Sequence, residues 1–287
     1  MKGVDFMADI KIVQKEHYDS IKQFLTTINS RTKNNVMRCE DSSQTGSSSF
    51  TGTKSYAEAT ELLEKGWSDV LPKIRKQFET SVKSNANGAI DRRRTYNHVV
   101  GYVPNVPNAI LGLPQSMINQ HIEPQKVKVV SIVYAPDANC GTEAETFIKA
   151  GVVVLNIVNQ LELNGLRVRL MITPMDSFVN GTFLSCTINI KDFREQLDLK
   201  KIAFPIANPS MLRRFGFKWL ETYPELTESG FACGYGRTIS GEKNHKDDLV
   251  KSGIIKGTDY FLNLERIEEL RFDVQAVMKD AGITINR

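Results

Sequence analysis

The stretch from residue 127 to residue 172 limits the folds open to this chain more than any other. Residues 127–134 are rich in β-branched residues and apolar on both faces, the pattern of a central parallel strand. An oxygen-rich loop follows, with Thr142 placed to cap a helix over 143–163 and Glu143 and Glu145 in its first turn. Asn164-Gly165 ends that helix, and 166–172 reads as a second strand. Strand, helix, strand in this order is a parallel crossover unit. Further along, 182–190 reads as a strand and 210–222 as a helix with Met211, Leu212, Phe215 and Trp219 inward. Residues 230–239 read as extended, 259–264 as a short strand, and 265–281 as a closing amphipathic helix. The expectation is an α/β domain over 126–287 with a mostly parallel, doubly wound sheet.

Residues 1–125 read differently. Helices are expected over 15–30, from a Thr53 or Ser55 cap to Lys65, and over 68–84. Between the first two lies a polar, serine-rich stretch, 29–49, expected as a surface loop. Residues 95–102 read as a strand. Pro104, Pro107, Pro114 and Pro124 then rule out a continuous helix and give a proline-rich connector. The domain boundary is placed near Pro124, with a helical and proline-rich extension before it.

Charge and cysteine content exclude several function classes. The net charge of +4 arises wholly before residue 127, where 17 Lys/Arg face 13 Asp/Glu. A dedicated nucleic-acid binder usually carries a denser basic footprint, so this balance permits nucleic acid without arguing for it. Cys39, Cys140, Cys186 and Cys233 are dispersed, as are His17, His98, His121 and His245, so no zinc knuckle is expected. No apolar run approaches a membrane span, and no membrane partner is expected. The reading is a cytoplasmic chain with reduced thiols.

Candidate sites are sparse. The loop after the first parallel strand carries Asp137, Asn139 and Thr142 where open α/β sheets bind ligands. A basic group, Arg92, Arg93 and Arg94, and a second, Arg213 and Arg214, offer phosphate contacts. For Arg213 and Arg214 the alternative is a pairing inside the fold. Asp137 with Asp198 and Lys200 formally resembles a nuclease pattern, with too much chain between the acids for two-metal chemistry. A hydrolase reading would need Asp137, Asp176 and Asp198 in one coordination sphere. Glu242 stands where a P-loop needs lysine, so the glycines at 236 and 241 read as a turn. There is no serine-nucleophile elbow, and Cys140 reads as a small buried residue. No catalytic residue and no cofactor are assigned.

The apolar strand, Asp loop and long helix resemble the first unit of a von Willebrand A domain. That family's metal loop is Asp-x-Ser-x-Ser, whereas this chain has Asp137-x-Asn139-x-Gly141. Two hydroxyls are lost, which argues against magnesium. Three further segments stand out: Ser49-Phe-Thr-Gly-Thr-Lys-Ser-Tyr-Ala-Glu-Ala with Gly66-Trp67, Gly101-Tyr-Val-Pro-Asn-Val-Pro-Asn-Ala-Ile-Leu-Gly-Leu-Pro, and Pro209-Ser-Met-Leu-Arg-Arg-Phe-Gly-Phe. Their order resembles a family of uncharacterised bacteriophage-encoded proteins with a domain of unknown function, over roughly residues 45–270. The resemblance implies a Rossmann-like, von Willebrand A-like core and a phage product acting in a bacterial cytoplasm or virion. The expected function is non-enzymatic binding of a protein partner, or homo-oligomerisation, as a virion component or counter-defence factor. The alternatives are nucleic-acid binding through Arg92–Arg94 with Arg213 and Arg214, and a metal-dependent hydrolase or nuclease centred on Asp137.

Overall fold

The computed structural model describes residues 12–34, 41–76, 93–122, 128–179, 182–224 and 245–284. Its centre is a mixed five-stranded sheet. In chain order the strands are β1 (Ile12–Tyr18), β5 (Val129–Ala135), β6 (Arg167–Val179), β7 (Thr182–Lys191) and β8 (Tyr260–Asn263). Their spatial order is β1-β7-β6-β5-β8. Pairs β5–β6, β5–β8 and β1–β7 are parallel, and β6–β7 is an antiparallel hairpin. The sheet is mostly parallel, as expected, but β7 and β1 run against the other three strands. A second, three-stranded sheet pairs β2 (Arg93–His98) and β3 (Val103–Pro104) with β4 (Met117–Ile122).

Most of the core lies on one face of the large sheet. Ile132, Leu170, Ile172, Leu184 and Ile188 pack there against helices, while Val133, Met171 and Phe183 on the opposite face meet Leu249 and Ile255. The long helix over Ala144–Leu163 crosses between β5 and β6 and is buried on most sides. It is apolar and long enough to cross a membrane by composition, yet its burial makes it the core helix. Gly151 lets it approach the helix Leu199–Ala207 closely, since a Cβ there would sit 2.4 Å from the Ala207 Cβ.

Several elements depart from the sequence reading. Residues 15–30 are not one helix: β1 ends at Tyr18, Ser20 caps the next helix, and the helix runs Ile21–Ser30. The first strand therefore belongs to the same sheet as residues 126–287. Phe24, Ile28, Ala59 and Leu63 share the main core with Val153 and Leu170, so the N-terminal helices are packed into that core. Glu143, not Thr142, is the cap position of the long helix. The expected helix 210–222 is a π-helix, Met211–Gly216, followed by Phe217–Glu221. The expected closing helix is two, Leu264–Glu269 and Val274–Asp280, because Arg271 and Phe272 adopt positive φ between them. Residues 230–239, Pro124 and the glycine turn at 236–241 lie outside the described residues.

The serine-rich stretch is a built part of the fold. Its one-turn helices Ser42–Thr45 and Ser48–Thr51 bury Ser43 and Thr51 completely. Arg214, itself fully buried, holds them by donating to the carbonyls of Ser43, Gln44, Gly46 and Thr53 and to the Thr53 hydroxyl. At the other end of the sheet, Lys191 is 1% exposed and pairs with Glu162 at 2.6 Å. It also donates to Val168 O and Asp192 O, tying the end of β7 to the long helix.

Two outcomes follow. Arg214→Lys should cost about 2–3 kcal/mol, because one ammonium cannot serve carbonyls on several sides and buried acceptors are left unmet. Hydrogen exchange should quicken over 41–53 while the large sheet stays protected. Lys191→Ala should cost about 3 kcal/mol in urea unfolding, because Glu162 loses its buried partner.

Candidate functional site

Two prolines shape the carboxyl ends of the central strands. β5 ends at Ala135, and Pro136, which lacks an N–H, cannot extend the ladder. Asp137 follows immediately and is fully buried. In β6 the register against β7 shifts between Ile172 and Met175, around Thr173 and Pro174. This is a bulge of the kind that re-aims a strand beside a site. β6 is paired with β5 only as far as Ile172, so Asp176 lies beyond the end of β5, where Asp137 turns. Asp176 is also fully buried, opposite Ser185, whose hydroxyl donates to Asp176 Oδ1 at 2.5 Å.

The third member comes from the other side. β8 pairs Asn263 with Ala135. Asn263 Nδ2 lies 3.4 Å from Nδ1 of His245, the first residue of the helix His245–Lys251. Phe261 packs edge-on to the His245 ring at 4.9 Å. Ligand atoms of Asp137, Asp176 and His245 all lie within 4.8 Å of one another, and all three side chains are buried. The cluster sits at the carboxyl ends of three adjacent parallel strands, where open α/β sheets place ligands.

Its polar atoms are under-supplied. Among the described residues, both oxygens of Asp137, Oδ2 of Asp176 and Nε2 of His245 make no hydrogen bond. His245 Nε2 is 3.4 Å from Asp176 Oδ2, close enough to attract but poorly aligned. Burial pushes the Asp137 carboxyl well above the ordinary carboxylate range, and the Asp176 charge adds to this. The Asp176 backbone N–H offsets part of the effect without reaching hydrogen-bond geometry. A bare carboxylate in such surroundings is costly, so the pair must hold a proton or a cation. Two carboxylates and an imidazole suit a divalent transition ion better than magnesium. Asn263 Oδ1 caps the helix Leu264–Glu269 through Arg266 N, which turns the amide nitrogen towards His245 Nδ1. Metal on Nε2 would put a proton on Nδ1 and give up that 3.4 Å contact, a long bond already.

Of the three acids that a hydrolase would need together, Asp137 and Asp176 enter this cluster and Asp198 does not. Asn139 is exposed and closes its own turn, accepting from Gly141 N at 2.9 Å and the Thr142 hydroxyl at 3.4 Å. Cys140 beside it is exposed and free, not buried. Asp198 caps the helix Leu199–Ala207 by accepting from Lys200 N and Lys201 N, away from Asp137, so the nuclease pattern has no geometry behind it. Arg213 donates to Phe50 O, Asn139 O and Thr142 O, and its guanidinium lies 4.0 Å from the Phe50 ring and 4.8 Å from that of Phe147. Burial lowers it to about 10, still charged at neutral pH. Arg213 and Arg214 thus bind backbone carbonyls inside the fold and are not presented to phosphates. Arg93 and Arg94 lie in β2, and Arg92 falls outside the described residues.

Sequence reasoning named Asp176 beside Asp137, but with Asp198 as the third member, and it missed His245. The one local signal for Asp176 was a charge set in the apolar run of β6; His245 had none. A separate groove of about 830 Å³, lined by Asp19, Lys22, Leu25, Leu63, Lys191 and Asp198 among others, lies at the opposite end of β7.

No curated protein and no solved structure matches this chain. One family model covers residues 9–284, nearly the whole length. The chain therefore belongs to the DUF7192 family, a domain of unknown function that takes in β1, the serine-rich segment, the small sheet and the Asp137–Asp176–His245 cluster alike.

Proposed function

We propose that Asp137, Asp176 and His245 hold a divalent cation, with manganese or zinc favoured by the mixed oxygen and nitrogen donors. One observation carries the reading: three buried ligand side chains converge, and four of their polar atoms have no hydrogen-bond partner among the described residues. The three ligands are 0%, 0% and 3% exposed, so the ion's main work is to fix the loops it joins. Arg213 extends that order to Phe50 through its bonds to Asn139 O, Thr142 O and Phe50 O. The protein then acts by binding a protein partner, not by turnover. A von Willebrand A-like core, a phage origin and action in a bacterial cytoplasm or virion belong to the same proposal. They are supported by the strand, Asp loop and long helix and by the sequence segments that resemble phage proteins.

A second reading, a metal-dependent hydrolase, is favoured by the same carboxylate pair and needs an open coordination position on the ion. Nucleic-acid binding now rests on Arg92–Arg94 alone.

Metal-stripped protein scanned with added manganese, zinc, magnesium or calcium tests the site. At a hundredfold excess over Kd the bound ion should stabilise by about 2.7 kcal/mol and raise Tm by several degrees. Asp137→Asn and His245→Ala should abolish the response, and no response from the unaltered chain to any ion would end the reading. Metal-dependent cleavage of a simple phosphodiester would favour the hydrolase.

The metal-free protein should also show a pH signature. The folded Asp137 pKa lies above its unfolded value of about 3.9, so the folded state binds more protons and stability falls as pH rises from about 4. Asp137→Asn should flatten that fall and stabilise the metal-free protein at neutral pH. A steeper fall in the variant would contradict the assignment.

A further inference from the structure

We propose that the small sheet and its turn, residues 95–119, form the surface through which two copies of this chain pair about a two-fold axis. This arm is unlike the rest of the molecule. From Thr95 to Ile122 it has no Asp, Glu, Lys or Arg, in a chain that is 24% charged. No residue from 95 to 119 is buried. Nine of the twelve exposed large apolar side chains among the described residues lie here. Ile110 is 80% exposed, Leu111 73%, Val100 68% and Val99 62%, with Val106 and Leu113 beside them.

The arm is shaped from within. Asn105 Nδ2 donates to Asn97 Oδ1, Asn108 Nδ2 to Gln115 O and Asn119 Nδ2 to Val100 O, so uncharged amides hold the turns. Gly101 allows a close crossing, since a Cβ there would lie 2.2 Å from Ile118 O. Ordering such a segment costs roughly 1–2 kcal/mol per residue. A segment with no buried side chain from 95 to 119 cannot offset that alone and needs an apolar cover.

Area and charge select the cover. At their fractional exposures the nine side chains present on the order of 1,000 Å². Summed over the whole arm, both faces included, this is of the order of the roughly 800 Å² per partner that a stable interface buries. A charge-free surface gives no electrostatic means of choosing a charged partner, and it lets two copies of a +4 chain meet without repulsion at the contact. Elsewhere on the described surface a copy offers only Val13, Val129 and Leu163 as exposed large apolar residues. The arm of a second copy is therefore the matching surface, and a patch that pairs with itself closes as a two-fold dimer.

Sedimentation equilibrium of the full chain at micromolar concentration tests this. The expected mass is twice 32.3 kDa. The double variant Ile110→Asp with Leu111→Asp, and separately Val100→Asp, should weaken pairing by at least about 30-fold with unchanged circular dichroism. Hydrogen exchange in the unaltered chain should slow over 99–113 as concentration rises, a readout that needs no variant. A mass of 32.3 kDa throughout the range, or a dimer indifferent to all three substitutions, overturns the proposal. A monomer that floats with phosphatidylcholine–phosphatidylglycerol vesicles would also overturn it and assign the arm to a membrane surface.

Discussion

The structure depends on two adjacent arginines that leave one π-helix in different directions. Arg213 reaches the loop after β5 and the carbonyl of Phe50, while Arg214 gathers the carbonyls of Ser43, Gln44, Gly46 and Thr53. A π-helix spreads its residues over a wider turn than an α-helix, which leaves room for two long side chains at neighbouring positions. Gly216 seats the turn on β6, because a Cβ there would lie 2.8 Å from Pro174 O. The π-helix is thus fixed at the bulge that precedes Asp176, and its arginines are fixed with it. Guanidinium groups suit this work, since their forked donors serve several carbonyls at once and stay charged when buried. Without them the serine-rich segment has almost no apolar side chain with which to hold itself in place.

A second polar anchor works at the edge strand. Arg31, Tyr18 and Trp219 all donate to Glu16. Burial pushes the Glu16 carboxyl up, and these three donors, with the Arg31 charge, more than reverse it, leaving the group below its usual range. Like the arginines, this contact joins residues far apart in the chain. Polar groups between distant segments thus set how the N-terminal part meets the sheet, while apolar packing supplies the bulk of the core.

The contrast explains what was legible in the sequence. β5, the long helix and β8 follow from hydrophobic pattern and length, because each buries its own side chains against the centre of the sheet. β1 was hidden because Lys15, Glu16 and His17 dilute its pattern; it is a strand because β7 pairs with it. The break at Arg271 and Phe272 was hidden because neither residue favours positive φ, so no turn residue marks it. The serine-rich segment reads as a loop in any window that omits Arg214, which is more than 160 positions away from the carbonyls of Ser43, Gln44, Gly46 and Thr53 that it binds. At the candidate site Asp137 was visible from its place after an apolar strand. Asp176 could be named beside it only as a condition, and His245 not at all, since their approach is set by a bulge and by the pairing of β5 with β8.

That approach is a property of the backbone, and this bears on what the cluster is for. Pro136 ends one strand and Pro174 bends its neighbour, while Ser185 and Asn263 hold Asp176 and His245 from outside. None of these constraints comes from the cluster itself, whose members repel or barely touch. A fold selected for stability alone would place apolar side chains here, because two facing buried carboxylates weaken the structure unless something neutralises them. Local violations of the burial rules, supported by the surrounding scaffold, are where function is expected to sit. The arm breaks a different rule in the same way, leaving apolar surface in water on a framework of neutral amides. The two departures lie in different sheets and ask for different complements, a cation in one case and an apolar surface in the other.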